Sequence, residues 1–379
     1  MKAPIAVVFA NLKGNLGDFA ILHAMLLEVR RRFPENPVHV FSHGFRDVDK
    51  ERLMALRASN APEFEHLGST YSRNVSPKLR RLISKLGIWP LAQPLFIRSL
   101  AARSAANAAR FREYEAIFLC GGDMWCGVDV GISMFATLTA IHEHNDQIYA
   151  YPFSINPKIF GYSSKRNLQR YLGKIRKPLV TRDEISKSVL DKIGVASISG
   201  ADCVFSLQSL ASDVEPAVGR DRTRVLIVCT GKEKKLEADL RSALQRLNSL
   251  AGRLALLTTS TPEDGKIYEA LSNEFGIPFY APKSWQETVA EIKASSLVVT
   301  NRLHGLILSS LAGTAVLPVT NRKKVEAFVI DTQVPYSAAD INKLSTALVE
   351  ECLMNRDPIL ERMTRYRDGA CEMARGPVL

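Results

Sequence analysis

Residues 300–305, Thr-Asn-Arg-Leu-His-Gly, set a guanidinium and an imidazole two positions apart where the sequence changes pattern. An apolar run, 296–299, precedes them and another, 306–311, follows, which predicts a buried strand ending at Val299 and a helix beginning near Leu303. A helix start offers backbone N–H groups and the positive end of the helix dipole to an anion. Arg302 can fork onto a carboxylate or phosphate, and His304 can move a proton near neutral pH. An Arg and a His in this place also serve as ordinary packing and surface residues, so the pair alone does not define a chemistry.

Three more strand ends carry polar residues. Ile5–Ala10 reads as a buried strand, Asn11–Phe19 as a glycine-punctuated turn, and Ala20–Arg32 as a helix with Ile21, Leu22, Met25, Leu26 and Val29 at helical spacing. Gly14 and Gly17 permit close backbone approach to a ligand or a positive φ, and Asp18 is either a site residue or the helix cap. The turn has neither the third glycine of a dinucleotide fingerprint nor the Gly-Lys-Ser/Thr of a phosphate-binding loop. Ala116–Cys120 runs into Gly121-Gly122-Asp123, where Asp123 orients a hydroxyl, acts as a base, or caps the next segment. Leu179–Thr181 runs into Arg182-Asp183-Glu184. Open α/β sheets bind ligands at the carboxyl ends of their strands, so four such ends argue for one shared cleft.

The elements that position these residues alternate strand and helix. In the first half strand-like runs fall at 4–10, 37–42, 115–120, 147–151 and 178–181; in the second at 225–229, 254–258, 277–280, 297–300 and 315–319. Such alternation implies parallel sheets covered on both faces. The polar stretch 212–222 reads as a linker between a domain over 1–211 and another over 223–379. Helical segments at 345–353 and 359–375 are expected to pack back across the join.

The chain resembles the polysaccharide pyruvyl transferase family. The resemblance rests on GNLGDFAIL (14–22), LCGGD (119–123), YPFSINP (151–157), TRDEIS (181–186), GADCVFSL (200–207) and TNRLHGLILSSLAGTAVLPV (300–319), and it spans roughly residues 5–320. It implies two Rossmann-like domains facing across a cleft, the GT-B arrangement. It also implies transfer of the enolpyruvyl group of phosphoenolpyruvate onto two hydroxyls of a saccharide, with no cofactor or metal. Arg302 and His304, with Leu303 between them, would then be the donor-binding and catalytic pair, and Arg182 a second anion ligand. Backbone N–H groups of Gly14, Asn15 and Gly17, and of Gly121 and Gly122, would join them, with Asp18 or Asp123 in the complementary proton-transfer role. Two stretches depart from the family pattern: Tyr151–Pro157 replaces a glycine-rich segment, and 68–111 has no family motif. Both leave the acceptor sugar open. A nucleotide-sugar glycosyltransferase, and a non-catalytic protein that binds acidic saccharides, are the rival readings.

Composition narrows the partners. The 379 residues include 50 Lys+Arg against 39 Asp+Glu, a net charge of +11, which favours anionic ligands. No nucleic-acid-binding motif is recognisable, so no nucleic acid is expected. No secretory signal is read at the N-terminus, no apolar run is long enough to span a bilayer, and the six cysteines have no zinc-like spacing. A cytoplasmic protein with reduced thiols is expected. From His66 to Arg112 the sequence has no acidic residue, while Arg73, Lys78, Arg80, Arg81, Lys85, Arg98, Arg103, Arg110 and Arg112 lie among apolar and aromatic residues. This basic insertion, 66–112, is read as either a solvated face or a peripheral contact, through 73–112, with the anionic inner face of the plasma membrane. Pro90 and Pro94 interrupt its helical pattern. His142-Glu143-His144 is not expected to hold a metal, Asp202 is read as a turn or interdomain residue, and Lys232–Lys235 as a solvated helix start.

Overall fold

The computed structural model describes residues 2–42, 48–69, 83, 85, 87–123, 128–217, 223–231 and 233–374. Its first half contains β1 (Ile5–Ala10), β2 (Val38–Ser42), β3 (Glu65–Ser69), β4 (Ala116–Leu119), β5 (Gly122–Asp123), β6 (Ile148–Ala150), β7 (Phe153–Ser154), β8 (Leu179–Thr181) and β9 (Ser197–Ser199). A parallel sheet forms in the order β3-β2-β1-β4-β6. Past the carboxyl ends of β4 and β6 the chain runs into a smaller parallel sheet, β5-β7-β8-β9. The second half holds β10 (Val225–Val228), β11 (Leu254–Leu257), β12 (Phe279–Tyr280), β13 (Leu297–Thr300) and β14 (Ala315–Pro318), parallel in the order β12-β11-β10-β13-β14.

Both large sheets have the same logic. From β1 the chain steps outward through β2 and β3, then returns to the other side with β4; from β10 it steps through β11 and β12, then returns with β13. The reversals lie between β1 and β4 and between β10 and β13, and crevices open at such points. Every residue of β1 is buried because helices cover both faces. Ile5 and Val7 point into one hydrophobic cluster, Ala6 and Val8 into another. The first cluster continues through the helix Leu16–Arg32 into Val225, Leu256 and Val299 of the second sheet, so an apolar core runs across the join.

The basic segment 66–112 folds its apolar side onto the first half. It begins in β3, and its helix Trp89–Ala108 buries Trp89, Ile97 and Leu100 against that domain. The two prolines do not break this helix: Pro90 stands in the first turn, where its missing N–H has no intrahelical partner to lose, and Pro94 lies inside. Residues 70–82 of the segment, with Arg73, Lys78, Arg80 and Arg81, lie outside the described residues.

Between the halves, Lys293 Nζ donates to the carbonyls of Ser212 and Val214, and the Ala217 N–H donates to Ala290. The start of the expected linker is thus held along the second half; 218–222 lie outside the described residues. The helix Arg356–Met373 reaches back to the first half, where Tyr366 meets Phe205 edge-on and Cys371 Sγ donates to the Phe205 carbonyl. Cys120, Cys203, Cys229 and Cys352 are buried free thiols, and burial pushes Cys229 up to about 12. Among the described residues no helix is long and apolar enough to cross a membrane.

Candidate active site between the two sheets

The predicted residues gather at the carboxyl ends of β1, β4, β8 and β13. At the end of β1 the strand register shifts between Val7 and Ala10, and Phe9 takes φ +66, a conformation costly for a bulky residue. Gly14 follows with φ +90. The helix then begins at Leu16, four residues before the sequence suggests, because the Asn15 side chain accepts the Gly17 N–H and caps it. Asp18 is therefore not the cap; it stands in the first turn, and its Oδ2 accepts from Asn11 Nδ2 at 2.6 Å. The Leu16 N–H donates to the Thr259 carbonyl at 2.9 Å, tying this turn to the second half.

Gly17 serves a contact rather than a positive φ. A Cβ there would lie 1.9 Å from Nδ1 and 2.2 Å from Cγ of His304. The first and last motifs of the sequence, nearly 300 residues apart, thus touch through a missing side chain. Nε2 of the same imidazole lies 3.8 Å from Asp202 Oδ2, an ion-pair distance, and has no hydrogen-bond partner among the described residues.

Asp202 also receives Arg182, whose Nη1 donates to Oδ2 at 2.7 Å while its Nε donates to Ser154 Oγ at 2.6 Å. Ser154 Oγ in turn donates to Asp183. Burial would push the Asp202 carboxyl up. His304, Arg182 and the Val204 N–H together outweigh that and hold it well below the usual carboxylate range. Asp202 holds the expected turn and interdomain place: its Oδ1 accepts the Val204 N–H, and its Oδ2 couples an arginine of the first half to a histidine of the second. Gly122, at φ +97, lies beside them, since a Cβ there would be 4.0 Å from Arg182 Nη1. Gly121 has no room for a side chain either: its Cβ would meet the Pro152 carbonyl at 2.6 Å. The backbone of Asp123 pairs with Ser154; its side chain lies outside the described part.

Arg302 takes a different partner from His304. Its guanidinium binds Asp264, which also accepts from Thr230 Oγ1 at 3.1 Å. Asn301 exchanges two hydrogen bonds with the backbone of Thr230 and so locks the end of β13 to the end of β10. The pair flanking Leu303 is divided between two carboxylates, Asp264 for the guanidinium and Asp202 for the imidazole. The helix Leu303–Ala312 starts at Arg302 without a side-chain cap, which leaves its first turn suited to an anion. Gly305 lets that turn sit on Thr300, because a Cβ would lie 2.5 Å from Thr300 Oγ1.

Residues with no sequence motif complete the site. A cavity between the halves is lined by Arg182, Asp202, Leu303, Lys324, Asp331 and Tyr366, among others. Burial, with Asp183 and Glu184 nearby, raises the Asp331 carboxyl to about 6. Arg52, on the helix Lys50–Ala58, is buried and donates to the carbonyls of Thr259 and Pro282 in the second half. Burial chiefly, and the like charge of Arg302, lower its pKa. Asp264, Asp331 and Arg52 look like ordinary charged helix residues in one dimension. Among the described residues no group of three or more His, Cys, Asp or Glu could hold a metal. His144 pairs instead with Arg112 at 3.1 Å.

Comparison with known proteins adds three findings. A family model described as polysaccharide pyruvyl transferase matches residues 15–323. No curated protein matches the chain. Among solved structures, the UDP-GlcNAc 2-epimerase of Neisseria meningitidis bound to UDP-GlcNAc is similar with TM-score 0.66 and 12% identity, over 99% of this chain and 97% of that one. The Methanocaldococcus jannaschii UDP-GlcNAc 2-epimerase in complex with UDP-GlcNAc and UDP is similar with TM-score 0.59 and 10% identity, over 99% and 98%. At such identity the likeness concerns the fold, which is GT-B: two parallel α/β domains facing across a cleft.

Proposed function

The chain belongs to the polysaccharide pyruvyl transferase family, and from that premise we propose that it moves the enolpyruvyl group of phosphoenolpyruvate onto two hydroxyls of a saccharide, leaving a pyruvate ketal and releasing phosphate. The observation that carries this reading is the meeting of Arg182 and His304, from opposite domains, on the buried carboxylate of Asp202. Phosphoenolpyruvate bears roughly three negative charges near neutral pH. Arg182 and Arg302, each oriented by a carboxylate that offsets its charge, supply forked donors for the carboxylate and phosphate, and the first turn of the helix Leu303–Ala312 adds the positive end of its dipole. Of the backbone N–H groups expected to bind the anion, those of Gly17 and Gly122 are engaged by the Asn15 side chain and the Pro152 carbonyl, which leaves Gly14, Asn15 and Gly121 for that role.

Ketal formation makes the methylene carbon a methyl group by adding one proton. A sugar hydroxyl bonds to the adjacent carbon, phosphate leaves with its bridging oxygen, and a second hydroxyl closes the ring. Of the two hydroxyl protons, one balances the new methyl group and the other departs with phosphate. His304 is the group we assign to proton transfer, as acid toward the methylene carbon or as base toward a hydroxyl. Asp18 and Asp123 are candidates for the complementary role, and Asp331, which burial raises to about 6 in the cavity that Arg182 and Asp202 also line, is a third. Buried reduced thiols fit a cytoplasmic setting.

The test is incubation with phosphoenolpyruvate and acceptors ending in galactose, mannose or N-acetylmannosamine. A product heavier by one ketal-linked pyruvate, with matched phosphate release, is expected. Structural neighbours bound to UDP-sugars give a second reading, a nucleotide-sugar enzyme, which predicts UDP release in place of phosphate. Saccharide binding without turnover on either donor would leave only a binding protein.

A further inference from the structure

The helix Trp89–Ala108 exposes a stripe that its own domain does not cover. Leu91 and Leu95 are 79% and 73% exposed, and Ile88, at the cap, is 41% exposed. Arg98 and Ala102 continue the same spacing of three and four residues, so all five share one face. Lys85, Arg98 and Arg103 are exposed around it. The opposite face is core, with Trp89, Ile97 and Leu100 buried. Large aliphatic side chains at the cap end, with Arg98 further along the same face and Lys85 and Arg103 exposed beside it, make a surface complementary to lipid: chains enter the acyl boundary while guanidinium and ammonium groups meet phosphates.

Topology sets the direction this stripe faces. The helix runs back to the start of β4, so its C-terminal end lies at the amino edge of the sheet and its apolar end at the carboxyl edge. That is the edge past which Gly17 and Gly122 lie, after β1 and β4. We propose that Ile88, Leu91 and Leu95, flanked by Lys85, Arg98 and Arg103, dock the first domain on an anionic lipid bilayer with the mouth of the cleft turned to the membrane. The segment from His66 to Arg112 itself contributes no acidic residue to the contact.

Co-sedimentation of the full chain with vesicles tests this independently of the chemistry. Binding to phosphatidylcholine vesicles containing about one-third phosphatidylglycerol at low salt is expected to exceed binding to pure phosphatidylcholine at least tenfold and to weaken as salt rises. The double variant Arg98→Glu/Arg103→Glu is expected to bind anionic vesicles roughly 25-fold or more weakly, at about fivefold per charge. Leu91→Glu/Leu95→Glu is expected to lose at least tenfold while keeping the wild-type thermal melt, because both side chains are exposed. Failure of the wild type to bind anionic vesicles overturns the proposal, as does undiminished binding by Leu91→Glu/Leu95→Glu. So does self-association in solution that this variant abolishes without any vesicle binding, which would make the stripe a contact between copies.

Discussion

The imidazole of His304 is positioned by what its neighbours lack as much as by what they offer. Gly17 gives it room and Asp202 stands at its far nitrogen. Gly17→Ala would drive a methyl group into the ring, and even a displacement of about 1 Å costs on the order of 100-fold in a positioned group. We expect turnover to fall by about that factor and, because the site is overpacked, stability to fall by about 1–3 kcal/mol; steady-state kinetics near wild type would free the ring from any catalytic part. His304→Ala is expected to lower turnover roughly 10²–10⁴-fold with a smaller effect on donor affinity, read from kcat and KM separately. Asp331 supplies a pH-dependent counterpart. Its carboxyl titrates near 6, so an ionised Asp331 acting as base makes activity fall below that pH. Asp331→Asn is expected to remove this acid limb from the pH profile of kcat/KM, and a limb persisting near 6 would belong to another group.

At the scale of elements, the start of the helix Leu303–Ala312 is held against β13 through Thr300, whose hydroxyl donates to the Val228 carbonyl and accepts the Arg302 N–H. Gly305→Ala would overpack that junction and is expected to destabilise the fold by about 1–3 kcal/mol, measured by urea unfolding. Element types at this level were legible in the sequence, because buried parallel strands read as short apolar runs and β1, β4, β10, β13 and β14 lie within a residue or two of the expected spans. The misses have local causes. β3 contains Glu65, His66 and Gly68 at a sheet edge, so no apolar run marks it. The helix Leu16–Arg32 starts inside what looks like a glycine turn because a capping Asn15 outweighs the helix-breaking residues after it. The pairings were legible only as types: Arg182, Arg302 and His304 stand out and Asp202 lies in a quoted motif, but nothing in one dimension joins Asp202 to His304 across the cleft, and Asp264 is a single carboxylate that no spacing distinguishes.

The whole molecule is joined by a buried seam, and one contact in it responds to acid. His23, fully buried on the helix Leu16–Arg32, accepts the Trp285 indole N–H at 2.9 Å from the second half. Burial lowers its pKa from 6.5 to about 4. Between those values the unfolded chain holds a proton that the native one refuses, so stability falls as pH drops through that window, by up to about 1.4 kcal/mol per unit and roughly 3 kcal/mol in all. His23→Gln, which keeps an acceptor but cannot titrate, is expected to flatten the dependence; equal slopes in urea unfolding of both proteins would place the acid sensitivity elsewhere. Trp285 gives the seam an optical signature as well. A sealed indole emits toward the blue and shifts red once water reaches it, and a cationic imidazole alongside quenches it. With Trp89 and Trp125 replaced by Phe, emission from the remaining indole should therefore track how tightly the two lobes clasp, so any ligand that draws them together can be followed without an attached dye.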